Sequence, residues 1–234
     1  MSQNKGNYTL DGVGDIYIYQ PQKGYRFSVD SLLLFLYSPV VKKNNILDIG
    51  AGTGILSFLF ADKYPQKKII SYEIQKEFVK LMKKGIKTNK FKNIQIKQKD
   101  IKKIDFKSIK TKFDLVVCNP PYRKYGHGRL SPYQNKNIAI YDKYLKISDL
   151  LGITEKLMNV STVLSIVNLY ENKKYIKKMV DKTGLSIKKE IIFLKNNTNK
   201  FIIFHIKNRY DQKSEKKYVS ENEWKSKVEK LYNK

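Results

Sequence analysis

Two hydrophobic periods alternate along the middle of the chain. Short apolar runs read as strands: Asn45–Ile49 (NILDI), Lys67–Ile74 (KKIISYEI), Asn93–Asp100 (NIQIKQKD), Phe113–Asn119 (FDLVVCN) and Ser161–Asn168 (STVLSIVN). Between them the apolar positions recur at helical spacing. Thr53–Tyr64 is one such stretch. Lys76–Asn89 is another, with Phe78, Val79, Leu81, Met82 and Ile86 on one side. Lys146–Asn159, with Ser148 as the expected N-cap, and Lys173–Gly184, closed by a glycine, complete the set. Leu185–Leu194 and Lys200–Asn208 then follow as consecutive strands joined by KNNTN, a hairpin connection.

Strands alternating with helices imply right-handed crossovers and a parallel sheet. The expectation is an α/β fold: a doubly wound, mostly parallel seven-stranded sheet with an antiparallel edge strand from the final pair. Three segments are expected: a lead-in over residues 1–44, a main domain over 45–206 and a basic tail over 207–234. Trp224 is a candidate to tack that tail to the body, the alternative being a frayed end.

The first strand runs into LDIGAGTG, Leu47–Gly54. Gly50, Gly52 and Gly54 allow a tight turn and close approach of a ligand to the backbone. The spacing is neither that of a dinucleotide fingerprint nor that of a Walker loop. Asp48, Glu73 and Asp100 stand at three successive strand ends, along the edge where such sheets bind ligands. An acid at the second of these places accepts ribose hydroxyls. A ribose-bearing cofactor with a cationic centre suits this lining better than one with a pyrophosphate, and S-adenosylmethionine has both features.

The fourth strand runs into NPPY, Asn119–Tyr122, where two prolines forbid any continuation of the ladder. Beside a methyl donor this motif has a use. An exocyclic amine or a side-chain amide is a poor nucleophile because its lone pair is delocalised. The Asn119 side-chain oxygen and the Pro120 carbonyl can hold its two N–H groups, rigidly placed by Pro120 and Pro121. Tyr122 offers a face on which a planar base stacks, worth about 1–3 kcal/mol. The segment that follows, Arg123–Asn137, is basic, aromatic and broken by glycine. Arg123, Lys124 and Arg129 are candidates for phosphate contacts and Tyr125 or Tyr133 for stacking. The alternative is a plain surface loop. His205 is expected as a satisfied sheet residue, and Cys118 as a small apolar filler.

Charge sharpens the choice of partner. The chain has 47 Lys and Arg against 21 Asp and Glu, a net charge of +26 over 234 residues. That field favours a polyanion, most simply nucleic acid. Only four of the basic residues are Arg, so lysine-rich compositional drift stays open beside it. One cysteine excludes an intrachain disulfide and a cysteine zinc cluster, and no metal is expected. The chain has neither an 18-residue apolar run nor a signal-peptide pattern, so the expectation is a cytoplasmic protein without membrane contact, and a monomer.

These motifs together resemble the class I S-adenosylmethionine-dependent methyltransferases that methylate amines. Within that group, residues 20–206 are similar to the bacterial tRNA adenine-N6 methyltransferases acting beside the anticodon of valine tRNA. RFSVDSLLLFLYSPV (Arg26–Val40) resembles the lead-in that sets an acid over the cofactor, here Asp30. The resemblance implies cofactor contacts from Asp30, Gly50, Gly52, Gly54, Glu73 and Asp100, with Ile74, Ile101 and Ser31 beside them. It implies an amine held by Asn119, Pro120, Pro121 and Tyr122. Where relatives often carry Glu after His, this chain has Asp142 after Tyr141. The main alternative is a glutamine-N5 methyltransferase of release factors, which uses the same NPPY chemistry but usually carries a helical N-terminal domain of about 70 residues. A DNA adenine methyltransferase and a non-enzymatic RNA-binding subunit are further readings.

Overall fold

The computed structural model describes residues 7–39, 45–106, 109, 111–209 and 214–233. The last residue of the lead-in motif, Val40, lies outside them. The order is β1 (Tyr8–Val13), β2 (Ile16–Pro21), α1 (Val29–Tyr37), β3 (Asn45–Ile49), α2 (Ile55–Lys63), β4 (Lys68–Glu73), α3 (Lys76–Thr88), β5 (Ile94–Gln98) and β6 (Leu115–Cys118). There follow α4 (Gln134–Ile140), α5 (Ile147–Leu157), β7 (Val163–Leu169), α6 (Lys173–Val180), β8 (Leu185–Lys195), β9 (Thr198–Asn208), β10 (Glu215–Val219) and α7 (Glu221–Tyr232).

The main sheet has the order β10-β8-β9-β7-β6-β3-β4-β5. All its strands are parallel except β9, which runs against both neighbours. It holds eight strands rather than the seven expected. The extra one is β10, which pairs in parallel with β8 and covers the pair expected to form the edge. Its apolar signal is a single buried Val219 in EKKYV, too weak to read as a strand beforehand. The charged segment 215–232 is therefore part of the sheet and its covering layer. Trp224 is buried, and its Nε1 donates to the Leu194 carbonyl at 2.7 Å.

Two apolar layers sandwich the sheet. One face meets α1, α2 and α7 through Leu33, Phe35, Phe58, Phe60 and Trp224. The other meets α5 and α6 through Leu150, Leu151, Ile176 and Val180. Helix α1 is buried almost all round, which explains its run LLLF. The β1–β2 hairpin is fastened to α3 by Asn89, whose amide accepts from Tyr17 N (2.8 Å) and donates to Tyr17 O (2.7 Å). Helix α5 starts one residue earlier than its expected cap: Asp149 Oδ2 accepts the Lys146 N–H at 3.1 Å, so Ser148 lies inside the helix.

Register aligns the strand ends. Ile49 lies beside both Tyr72 and Cys118, and Glu73 beside Gln98. The residues at or just beyond the ends of β3, β4, β5 and β6 therefore gather along one edge, and these are the glycine loop, Glu73, Asp100 and Asn119.

Candidate active site

The glycine loop is built on backbone bonds to β4. The Gly50 and Ala51 N–H groups both donate to the Tyr72 carbonyl, at 2.9 and 3.1 Å. All three glycines have positive φ, at +73°, +57° and +101°. Gly54 is a packing glycine as well: a Cβ there would meet Phe58 and Met82 at 2.9 Å. At Gly50 a Cβ would meet nothing within 4 Å, and at Gly52 only the Tyr25 ring edge at 4.0 Å, so both face open space.

That space is a crevice of about 690 Å³, counting its open mouth. Among the expected cofactor residues, Gly50, Gly52, Glu73, Ile74, Asp100 and Ile101 line it. Glu73 accepts Gly52 N–H on Oε2 and Gln75 N–H on Oε1, each at 2.8 Å. Burial raises its pKa in spite of those bonds. Asp100 caps the short turn Ile101–Lys103 by accepting Lys102 N–H at 3.0 Å.

Three of the expected cofactor residues lie elsewhere, as does the further candidate Ser31. Gly54 sits behind the loop. Asp48 is fully buried under it, accepting Ser57 Oγ–H at 2.6 Å on Oδ2 and leaving Oδ1 without a protein partner. Burial pushes its pKa up to about 7. Its side chain points off the ligand edge into the α2 interface, a direction that strand periodicity alone leaves ambiguous when both sheet faces are covered. Asp30 is also buried and spends its carboxylate on protein donors: Ser28 Oγ (2.6 Å), Ser31 N (2.7 Å) and the Tyr122 hydroxyl (2.7 Å).

The NPPY motif divides in the same way. Asn119 and Pro121 line the crevice, Pro120 is buried, and Tyr122 lines a smaller cavity alongside. Asn119 Nδ2 donates to Ser31 Oγ at 2.9 Å, and the Tyr122 hydroxyl lies 2.6 Å from Asn119 Oδ1. Burial, then the Asp30 charge, raises the Tyr122 pKa well above the usual range, so its hydroxyl stays a donor. Asn172 Nδ2 holds the Tyr122 carbonyl at 3.1 Å. Cys118 lines the crevice wall, with burial raising its pKa far up, which keeps the thiol protonated and inert.

Arg123, Lys124, Tyr125 and Arg129 are exposed beyond the crevice. Their segment is stitched at both ends. Arg123 N donates to Ile140 O and Arg123 O accepts from Asp142 N, at 3.0 and 2.9 Å. Tyr125 N donates to Asp142 Oδ1 (2.7 Å), and the buried Tyr141 donates its hydroxyl to Arg129 O (2.9 Å). Tyr141 and Asp142 thus pin this loop. Reading the sequence alone missed several wall residues, among them Tyr25, Phe78, Ile138, Tyr144 and Leu145. Tyr25 comes from the lead-in, and burial followed by the charges of Asp30 and Glu73 raises its pKa far above the usual value. Its only advance signal was its place one residue before the lead-in motif. Among the described residues no group of three or more His, Cys, Asp or Glu gathers as a metal site, and no helix is long and apolar enough to cross a membrane.

An open glycine cradle, two acids at neighbouring strand ends and an asparagine amide in the same crevice define a class I methyltransferase. The chain belongs to the methyltransferase-domain family, whose model matches residues 41–233. Its relatives include the tRNA1(Val) (adenine(37)-N6)-methyltransferases of Pseudoalteromonas translucida and Histophilus somni. The first is 29% identical over 62% of this chain and 61% of its own length. The second is 30% identical over 69% and 68%. The chain therefore spans about three-fifths of the first relative and two-thirds of the second. Among solved structures, a ribosomal protein L11 methylase from Lactobacillus delbrueckii subsp. bulgaricus shares the fold, with a TM-score of 0.54, 18% identity and coverage of 77% and 78% of the two chains.

Proposed function

We propose that this chain transfers a methyl group from S-adenosylmethionine to the exocyclic N6 amine of an adenine in tRNA, beside the anticodon. The observation that carries this reading is the Asn119 carboxamide in one crevice with Glu73, Asp100 and the glycine loop. The names of the relatives support adenine in valine tRNA as the target.

The crevice suits the cofactor. Its walls offer Glu73 to ribose hydroxyls, Asp100 and Ile101 to the adenine end, and the Gly50 and Gly52 backbone to the amino-acid end, and among its described lining residues Lys99 alone is basic, where a pyrophosphate needs a basic cluster. When bound, S-adenosylmethionine supplies an electrophilic methyl on a sulfonium. The chain's own residues prepare the acceptor. Asn119 Oδ1 and the Pro120 carbonyl accept the two N–H groups of the flipped base, directing the nitrogen lone pair out of conjugation. The prolines fix these acceptors before reaction, so the transfer needs little reorganisation. Tyr122 stacks on the base. No strong base is required, because the amine becomes acidic as its nitrogen is alkylated. Arg123, Lys124, Tyr125 and Arg129 contact the flanking backbone.

Nucleoside mass spectrometry on tRNA from a deletion strain tests the reading. N6-methyladenosine should disappear and return with the wild-type gene but not with Asn119→Ala. Unchanged tRNA, with loss of methyl from a release-factor glutamine instead, would transfer the same chemistry to the protein substrate.

A further inference from the structure

We infer that Asp30 and Ser31, at the start of α1, form a positioning clamp on the NPPY loop rather than a pair of cofactor ligands. The inference rests on the methyl-transfer reading above. These consecutive residues reach the two functional side chains of the motif. Ser31 Oγ accepts from Asn119 Nδ2 at 2.9 Å, and Asp30 Oδ2 accepts from the Tyr122 hydroxyl at 2.7 Å. Both residues are buried, and neither lines the crevice.

The Ser31 and Tyr122 contacts together fix which way the carboxamide faces, Nδ2 meeting Ser31 Oγ and Oδ1 meeting the Tyr122 hydroxyl. With Nδ2 bound to Ser31, Oδ1 is the atom left for an incoming amine. Asp30 settles whether that atom is free. The Tyr122 hydroxyl lies within hydrogen-bond reach of both Asp30 Oδ2 and Asn119 Oδ1, yet it has one proton. Given to Asp30, a charged acceptor, that proton makes the stronger bond. The Asn119 oxygen has two lone pairs, so even while it shares that proton at 2.6 Å one stays free for the substrate, and Asp30 tethers the Tyr122 hydroxyl beside it. Asp30 cannot swing away to a ligand without giving up its Oδ1 bonds to Ser28 Oγ and Ser31 N.

The test uses the full chain with Ser31→Ala, Ser31→Thr, Asp30→Asn and the Asp30→Asn/Tyr122→Phe double variant. Steady-state methylation of tRNA is measured alongside S-adenosylhomocysteine affinity by calorimetry. Ser31→Ala and Asp30→Asn should lower kcat by roughly 10- to 100-fold, the scale on which misplacing a reacting group acts. Ligand affinity should stay within about threefold, Ser31→Thr should recover most of kcat, and Tyr122→Phe should add little once Asp30 is changed, since the two act as one unit. A tenfold or larger loss of ligand affinity with kcat unchanged at saturation would make these residues cofactor ligands and overturn the clamp. If the wild-type chain methylates no tRNA, the functional reading fails on its own account. The clamp is then decided by the Asn119 side-chain NH₂ resonances, which must be exchange-protected in wild type and lose that protection in Ser31→Ala; unprotected wild-type resonances refute it.

Discussion

Gly52 donates its backbone N–H to Glu73 Oε2 at 2.8 Å, so the acid that ends β4 also braces the glycine loop. Its other oxygen holds the Gln75 N–H at the entrance to α3. Glu73→Gln places an NH₂ against one of these two donors. The variant should lose affinity for S-adenosylhomocysteine by at least tenfold, as read by calorimetry, and should melt several degrees lower. A pure ribose ligand would lose affinity with its melting temperature unchanged.

The glycines of the loop should separate by role. Gly54→Ala forces a Cβ to 2.9 Å from Phe58 and Met82 at φ +101°, combining overpacking with strain. The cost should be about 2–4 kcal/mol of stability. Gly50→Ala meets open space and bears only the strain of φ +73°, about 1–2 kcal/mol, while its methyl group enters the crevice. Urea unfolding with ligand titration should therefore show Gly54→Ala chiefly as a folding defect and Gly50→Ala chiefly as a binding defect.

How much of this was legible beforehand follows from the kind of signal each residue carries. Gly50, Gly52, Glu73, Asp100 and Asn119 sit at strand ends, and parallel crossovers bring all such ends to one edge, so spacing alone brings them together. Asp48 was assigned to the ligand by the same logic and Asp30 by the resemblance of its lead-in, but neither signal says which way a buried side chain points, and both turn toward protein donors. Strand β10 has one buried apolar position among four exposed ones and becomes a strand only because β8 offers it an open edge. Ile138, Tyr144 and Leu145 reach the crevice from segments distant in sequence, a juxtaposition visible only after folding.

Two buried titratable groups should give the protein opposing pH dependences. Asp48 has its pKa raised to about 7, mainly by burial. Its stabilising effect is full below the unfolded value near 3.8 and is lost as pH rises through 7. His205 is lowered to about 4, again mainly by burial, with Lys189 and Lys207 adding to the effect. It was expected to be a satisfied sheet residue, yet Nε2 has no protein partner. Its contribution is present above 6.5 and lost as pH falls through 4. Between those limits the slopes oppose, each at most about 1.4 kcal/mol per pH unit. Unfolding free energies at pH 4.5 and 6.5 should differ little in wild type. Asp48→Asn should leave a protein that gains stability with rising pH, and His205→Gln one that loses it. Parallel profiles in all three would contradict the assignment.

Asn119→Ala should remove methyl transfer while leaving S-adenosylhomocysteine affinity within a few-fold, because the amide faces the acceptor and takes its own support from Ser31. Single-turnover assays at saturating cofactor separate chemistry from binding. Activity within tenfold of wild type would remove Asn119 from the reaction.

The net charge of +26 makes salt the sharpest probe of the substrate. Exposed Arg123, Lys124, Arg129, Lys143 and Lys146 follow the NPPY motif, and Lys99, Lys102 and Lys103, also exposed, flank Asp100 in sequence, with Lys99 at the crevice wall. If six or more phosphates are neutralised, RNA affinity should fall on the order of 10³-fold between 50 and 200 mM salt. Removing a phosphate contact should flatten the slope of log affinity against log salt by about one per residue. Arg123→Ala with Arg129→Ala should therefore flatten it by about two, whereas Lys182→Ala, on the turn after α6, should leave it unchanged. Equal effects from the two sets would mean that lysine bias, rather than a directed surface, holds the RNA.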